Sequence, residues 1–340
     1  RITRLTAELP KHKMQDEAFS VFAGLGDLAS CLYSRFKTVK LFCGGCMKKI
    51  RTAAVILVLL MALPALAGTF NIVPSEKTFM WKVEKGGTTV YLLGSIHALK
   101  EDAYPLPPAI EAAFEEVEIA VFEIDLDEMN KAAIKMVSAG SLEKGLTLEE
   151  VVGPETWSDF ETRVADLGFD SGLYQGMKPW MAALTVASFE LTKHGYLASA
   201  GLDTYFSQRA DETGKKRLAL ETAGFQVSLF AGLSPEHSLT FLRYTLEDLA
   251  AMIPEMDQLY LDWRVGNVET VEDALLEGFR EFPGVLKKMV VDRNHAWMPQ
   301  IEKVLAGGQD AMVVVGAAHL VGEEGVVNLL RQKGYTVEQQ

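Results

Sequence analysis

The sequence predicts an α/β protein with a central, mostly parallel sheet flanked by helices. Two short apolar runs, at residues 119–125 and 312–315, have the length of buried strands. Helical patterns alternate with these runs, and a strand, a helix and a strand at this spacing are typical of a βαβ unit. We therefore expect parallel strands at both ends of the folded chain and a helix-rich region between them.

The first predicted element is a β-hairpin. Residues 79–83 and 88–93 are rich in β-branched and aromatic residues, and the pair Gly86-Gly87 lies between them. Glycine pairs between two such runs are typical of hairpin turns. A helix from about Ala109 to Glu118 and a strand from Ile119 to Asp125 are predicted next.

The middle of the chain, about residues 126–302, is predicted to be a helix-rich insertion. One short apolar run, Leu218 to Glu221, interrupts the helical pattern. Residues 312–315 then form the clearest buried strand, followed by a predicted helix from about Gly325 to Lys333 and a last strand at 334–337. No linker rich in Pro, Gly or Ser divides the chain, so we expect one domain with a helical insertion.

The N-terminal region has the pattern of a secretory signal peptide. Residues 47–51 are basic, residues 52–63 are apolar, and Ala65-Leu66-Ala67 is a small-residue cleavage site. We expect cleavage near Ala67, a single domain over residues 68–340, and a periplasmic or secreted location. An uncleaved anchor is the alternative, but the apolar run is shorter than the roughly 20 residues of a spanning helix.

Residues 1–46 precede the predicted signal peptide (47–67), where no sequence is expected. We interpret them as an upstream extension of the reading frame that is not part of the working protein. All three cysteines lie in this stretch. The domain is therefore expected to use neither disulfides nor thiolate chemistry.

The charge balance excludes one class of partner. The chain has 33 Lys and Arg against 46 Asp and Glu, a net charge of −13. Binding to a phosphate backbone needs a basic face, so nucleic acid is not an expected partner. We expect membrane contact only through the transient signal peptide.

The strongest internal signal is a repeated motif, Gly-x-x-His. Val90 to His97 and Met312 to His319 are both apolar strands that end in this motif. The glycine is expected to let the chain turn sharply as it leaves the sheet. Ligands bind at the carboxyl edge of open parallel sheets, so the two imidazoles would converge there if the strands are neighbours.

Acidic and basic residues complete the candidate site. Two other predicted strands end in carboxylates, Glu123 and Glu221. Two histidines and one carboxylate are enough to hold a divalent transition metal, and a second carboxylate could act as a general base. Arg293 could hold a carboxylate or a developing oxyanion, with a structural salt bridge as the alternative.

These motifs together resemble the TraB/PrgY/GumN family, which includes the animal TIKI metalloproteases. The motifs that carry the resemblance are Trp81, Gly94-Ser95-Ile96-His97, Glu123, Gly201-Leu202-Asp203, Leu220-Glu221-Thr222, Gln226, Arg293-Asn294 and Gly316-Ala317-Ala318-His319-Leu320. The resemblance implies a fold of the erythromycin-esterase and ChaN-like kind. It also implies a metal-dependent hydrolase or protease, with Mn²⁺ or Co²⁺ favoured and Zn²⁺ as a further candidate.

By position, the resemblance implies that His97, His319 and Glu123 hold the metal. It also implies catalytic roles for Glu123, Glu221, Arg293 and Asn294. We therefore expect an exported hydrolase, foremost a peptidase that uses a metal-activated water. The alternatives are an esterase that acts on small esters, and a module that binds or sequesters a peptide or small ligand without cleaving it.

Overall fold

The structure is a computed structural model that describes residues 77–276 and 283–340. The predicted upstream extension (1–46) and signal peptide (47–67) lie outside the described residues, as does the start of the predicted domain at residue 68. Within the described ranges, no helix combines the length and the apolar character needed to cross a bilayer.

A six-stranded mixed sheet forms the centre of the fold. Its strands are β1 (Met80–Lys85), β2 (Thr88–Ser95), β3 (Ile119–Phe122), β4 (Lys216–Ala219), β5 (Ala311–Gly316) and β6 (Val337–Gln339). Their order across the sheet is β4-β3-β5-β2-β1-β6. Strands β4, β3, β5 and β2 are parallel, whereas β1 is antiparallel to both β2 and β6. The predicted α/β class with a mostly parallel sheet is confirmed.

The hairpin of β1 and β2 forms as predicted. Lys85 pairs with Thr88 across the turn. Gly86 and Gly87 have φ of 58° and 89°. A two-residue turn with both central residues at positive φ matches the twist of the flanking strands, which explains the glycine pair.

The two strands of the repeated motif are direct neighbours. β2 and β5 pair in parallel, with Ser95 opposite Gly316. All six residues of β5 are buried, because this strand has β3 on one side and β2 on the other. The two Gly-x-x-His motifs therefore follow neighbouring strands, which is the condition under which their histidines are predicted to converge.

Helices cover the sheet and fill the middle of the chain. They are α1 (Pro108–Glu116), α2 (Met129–Gly140), α3 (Leu148–Asp166), α4 (Pro179–Lys193), α5 (Leu202–Glu212), α6 (Ala223–Ala231), α7 (Pro235–Asp248), α8 (Met252–Arg264), α9 (Val268–Leu276), α10 (Asp292–Leu305) and α11 (Val326–Gln332). A short helical turn, Pro283–Leu286, and a π-helical turn, Lys287–Val291, lead directly into α10.

Apolar packing divides the helices into two groups. The helices α1, α5, α8, α9, α10 and α11 contribute buried side chains to the core around the sheet. The helices α2, α3, α4, α6 and α7 form two further apolar clusters of their own. The insertion is not purely helical, however, because β4 lies within it and pairs with β3.

One buried tyrosine hydroxyl has no hydrogen-bond partner. Within the described residues, the Tyr174 hydroxyl is the buried side-chain polar atom that lacks a hydrogen-bond partner. Tyr174 is 1% exposed and packs edge-on against Phe160. A buried hydroxyl without a partner loses its hydration without compensation.

We predict that Tyr174→Phe raises the free energy of unfolding by about 1 kcal/mol, because the uncompensated hydroxyl is removed. Urea denaturation of both proteins measures the difference. Tyr196→Phe is the matched control: the Tyr196 hydroxyl donates to Asp257 Oδ1 at 2.6 Å, so this variant should be less stable. A Tyr174→Phe variant that is also less stable would contradict the interpretation.

Candidate functional site

The predicted site residues come together at the carboxyl edge of the parallel strands. His97 follows β2, Glu123 follows β3, Glu221 follows β4 and His319 ends a short turn after β5, whereas Arg293 and Asn294 lie in the first turn of α10. The described contacts link five of them directly: Glu123, Glu221, Arg293, Asn294 and His319. His97 approaches this group from the open side, next to Gly316 and Glu123.

Arg293 is the centre of the site, and every N–H group of its guanidinium is engaged. Nε donates to both oxygens of Glu221, at 3.2 and 3.1 Å. Nη1 donates to the Met289 carbonyl and to His319 Nε2, each at 2.9 Å. Nη2 donates to Glu221 Oε1 at 2.7 Å and to Glu123 Oε2. In this arrangement Arg293 has no N–H group left for a substrate oxyanion.

The backbone before α10 places this arginine. Met289 belongs to the π-helical turn Lys287–Val291, which runs straight into α10. Single π-turns are rare and occur frequently at functional sites, because the wider turn re-aims the side chains around it. The Met289 carbonyl is thereby placed to accept a hydrogen bond from Arg293.

His319 is buried and held as a neutral imidazole. Its Nε2 accepts from Arg293, so its Nδ1 carries the proton and donates to Asn294 Oδ1 at 2.7 Å. The Asn294 amide is oriented in turn by its Nδ2, which donates to the Glu324 carbonyl at 2.8 Å. Burial lowers the pKa of His319 to about 3. Asn294 therefore orients His319 here.

His97 has the opposite environment. Its side chain is 65% exposed, and its Nδ1 donates to Asp203 Oδ2 at 2.7 Å. The same oxygen accepts from Ser95 Oγ at 2.5 Å. The charge of Asp203 raises the pKa of His97 to about 9. Because Nδ1 donates to Asp203, Nε2 is the His97 nitrogen on the side of Gly316.

Sequence reasoning places Asp203 in the motif Gly201-Leu202-Asp203 and assigns it no role. It lies in the first turn of α5, where an acidic residue is ordinary because of the helix dipole. Gly201 brings this helix against the His97 loop, since a Cβ at Gly201 would lie 2.1 Å from the His97 carbonyl oxygen. The pairing of Ser95 and His97 on one acceptor becomes visible only in the folded structure.

Glu123 is a buried carboxylate that remains ionised. Its Oε1 accepts from the Gly316 amide at 2.8 Å, and its Oε2 accepts from Gln226 Nε2 at 3.0 Å and from Arg293. Burial raises its pKa, but the positive charge that His319 takes up in acid, together with those of Arg293 and His97, outweighs burial and lowers the pKa to about 2. Glu123 is therefore negatively charged at any pH where the protein is expected to work.

The motif glycines act by close approach, not by the sharp turn that the motif predicts. Gly316 has an ordinary φ of −49°. A Cβ on Gly316 would lie 3.0 Å from His97 Nε2 and 3.3 Å from Glu123 Oε1. A Cβ on Gly94 would lie 2.5 Å from the Phe79 ring. Gly94 needs glycine because the Phe79 ring occupies the space of a Cβ, whereas a Cβ at Gly316 would make His97 or Glu123 shift by a few tenths of an ångström.

The predicted metal ligands fit a cation only in part. His97 Nε2 and Glu123 Oε1 both lie close to Gly316, and a histidine backed by a carboxylate is a common metal ligand. His319 Nε2 lies 3.8 Å from Glu123 Oε1, but its lone pair is directed at Arg293. Across residues 77–276 and 283–340, no group of three or more His, Cys, Asp or Glu side chains is arranged to hold a metal.

This fold and this site define a class: an α/β protein whose two Gly-x-x-His strands place histidines beside a Glu–Arg–Glu cluster at the sheet edge. The sequence model of the TraB/PrgY/gumN family matches residues 79–339. The chain therefore belongs to this family, and the resemblance noted in the sequence is confirmed.

Two bacterial proteins are similar to this chain over most of their length. The uncharacterized protein YbaP of Escherichia coli K12 is 23% identical over 246 residues, which cover 72% of this chain and 89% of YbaP. YbaP of Shigella flexneri gives the same identity and coverage. No solved structure gives a significant match.

We predict that Gly316→Ala lowers the free energy of unfolding by about 1–3 kcal/mol, because its Cβ would push His97 and Glu123 apart. Urea denaturation measures the loss. Gly176→Ala is the matched control, since no atom lies within 4 Å of a Cβ at that position, and it should stay within about 0.5 kcal/mol of the parent protein. Equal stability of the two variants would contradict the close-approach role.

We also predict a pH dependence that comes from His319. Its pKa is about 3 in the folded chain against an ordinary 6.5, so below pH 6.5 the unfolded chain takes up a proton that the folded chain does not. The His319 contribution to stability is therefore fully present above pH 6.5 and is lost as the pH falls toward 3, by up to about 1.4 kcal/mol per pH unit.

Urea denaturation between pH 7 and pH 5 tests this slope. His319→Gln should remove this contribution, while the control His295→Gln, at an exposed histidine 55% accessible, should keep it. An identical slope in the parent protein and in His319→Gln would show that His319 is not held neutral.

Proposed function

We propose that this chain is an exported hydrolase that cleaves peptide bonds, and that His97 and Glu123 form its reacting edge. One observation carries the proposal. His97 is exposed and held by Asp203, and its Nε2 and the ionised Glu123 both lie close to Gly316. An oriented imidazole with a shifted pKa beside a buried carboxylate is typical of catalytic sites.

The side chains of this site have separable tasks. Asp203 orients the His97 ring by accepting a hydrogen bond from Nδ1. Glu123 supplies a fixed negative charge inside the site. Gln226 and the Gly316 amide hold that carboxylate in place. The buried side of the site is formed by Arg293, Asn294 and the neutral His319. A substrate would therefore approach from the exposed side, where His97 lies.

His97 Nε2 and Glu123 Oε1 are the atoms that would hold a divalent cation. Imidazole and carboxylate together suit Mn²⁺, Co²⁺ and Zn²⁺. When bound, such a cation polarises a carbonyl and makes water nucleophilic near neutral pH. The family resemblance favours Mn²⁺ or Co²⁺ over Zn²⁺.

The sequence supports the proposed location and substrate class. The signal-peptide pattern at residues 47–67 supports a periplasmic or secreted protein. The net charge of −13 disfavours nucleic acid as a substrate. Peptides and proteins are the proposed substrates, and small esters are the alternative for the same water-attack chemistry.

Hydrolysis of a peptide library and an ester panel tests the proposal. The metal-stripped full chain is assayed with added Mn²⁺, Co²⁺ or Zn²⁺, and products are identified by mass spectrometry. His97→Ala should lose at least about 100-fold of the activity, and Asp203→Asn about 10–100-fold. His237→Ala is the control, because His237 lies in the first turn of α7 and outside the site. The absence of product under every condition would refute the proposed hydrolase activity.

A second candidate is a module that binds a peptide or small ligand without cleaving it. The observation in its favour is that every N–H group of Arg293 is already engaged, which leaves this residue unable to stabilise an oxyanion. Stable binding with intact ligand recovered by mass spectrometry would support this function over hydrolysis.

A further inference from the structure

Exposed apolar side chains are concentrated in one part of the helical insertion. Within the described residues, seven large apolar side chains are exposed, and five of them lie between residues 134 and 173. We call these five side chains the insertion surface; they are Ile134, Val137, Leu146, Val151 and Leu173. Ile134 is 74% exposed and Leu173 is 63% exposed. Large exposed apolar patches on a folded protein commonly mark a site of association.

The insertion surface is grouped around the loop between α2 and α3. Ile134 and Val137 are three residues apart, so they share the outer face of α2, and the exposed valine of α3 lies in the first turn of that helix. The Leu142 amide donates to the Gly176 carbonyl at 2.8 Å. This bond holds the loop against the short segment that follows Leu173. The five side chains therefore lie on adjoining segments.

The two helices that border this loop carry opposite charges. α2 has two exposed lysines, Lys131 and Lys135, and no acidic residue. The first turns of α3 have three exposed glutamates, Glu149, Glu150 and Glu155, and no basic residue. The buried face of α2 packs with α6, whereas that of α3 packs with α7. The basic and the acidic side of the insertion surface are therefore separate.

We propose that the insertion surface binds a second copy of this chain in a two-fold dimer, with α2 of each protomer against the start of α3 of the other. In a two-fold interface the same patch meets itself, so the patch must be self-complementary. An apolar centre with lysines on one side and glutamates on the other meets this condition. The lysines of each protomer pair with glutamates of its partner, around the apolar side chains.

A lipid surface fits the same side chains less well. Anionic headgroups attract lysines next to apolar residues, but the glutamates at the start of α3 border the same apolar residues and are repelled. The net charge of the chain, −13, adds to this repulsion. A second copy satisfies both the lysines and the glutamates, whereas an anionic membrane satisfies only the lysines.

Sedimentation of the full chain over a range of protein concentrations tests the proposal. The parent protein should dimerise, and Ile134→Glu, which places a charge in the apolar centre, should weaken dimerisation at least about tenfold. Leu261→Glu is the matched control, because Leu261 is 50% exposed on α8, outside the insertion surface, and it should dimerise like the parent protein. A parent protein that stays monomeric, or an Ile134→Glu variant that dimerises equally well, would overturn the proposal.

A charge swap tests the pairing of the two helices. Lys131→Glu with Lys135→Glu places like charges opposite each other and should weaken dimerisation at least about tenfold. Adding Glu149→Lys and Glu155→Lys to the same chain restores opposite charges, and dimerisation should return to within about threefold of the parent protein. If the second pair of substitutions does not rescue the first, the proposed arrangement is wrong.

Vesicle flotation distinguishes the dimer from a lipid-binding surface. The parent protein and Ile134→Glu should behave identically with vesicles of phosphatidylglycerol and phosphatidylethanolamine. Vesicle binding that Ile134→Glu abolishes would assign the insertion surface to lipid and overturn the dimer. None of these measurements depends on turnover, so they test the dimer independently of the proposed hydrolysis.

Discussion

The pairing of Arg293 with Glu123 and Glu221 is the interaction on which the rest of the site depends. The two carboxylates follow two adjacent parallel strands, β3 and β4, and would repel each other if no cation lay between them. The guanidinium also fixes His319 as a neutral imidazole. Carboxylates, imidazole and arginine thus form one unit, and the loss of Arg293 would leave two buried carboxylates without their shared cation.

The repeated motif produces two histidines with different roles. β2 and β5 are adjacent, and both end in Gly-x-x-His, yet His97 is exposed and His319 is buried. The difference comes from what each loop contacts: α5 supplies Asp203 to His97, and α10 supplies Arg293 and Asn294 to His319. Equivalent sequence positions acquire different chemistry because the helices that cover them differ.

Much of the fold could be predicted because it depends on local patterns. The apolar run at 312–315 is a buried strand, and Gly86-Gly87 is a hairpin turn, since composition and length determine both. For the site, the sequence could predict which residues take part but not their contacts, orientations or protonation states. The protonation state of His319 depends on its hydrogen bond with Arg293. The orientation of His97 depends on Asp203, which lies 106 residues further along the chain. Asp203 resembles an ordinary acidic residue at a helix start, and no sequence spacing links it to His97.

The placement of β4 has a consequence for how this protein can change over evolution. The chain between β3 and β5 includes helices with apolar clusters of their own, but it also returns to the sheet to add β4 as an edge strand. That strand leads directly to Glu221. Evolution therefore cannot gain, lose or exchange this region as an independent unit. Its removal would delete the edge strand β4 from the sheet and the carboxylate of Glu221 from the site. We expect variation in family members to concentrate in the outer helices and to spare the segment around β4.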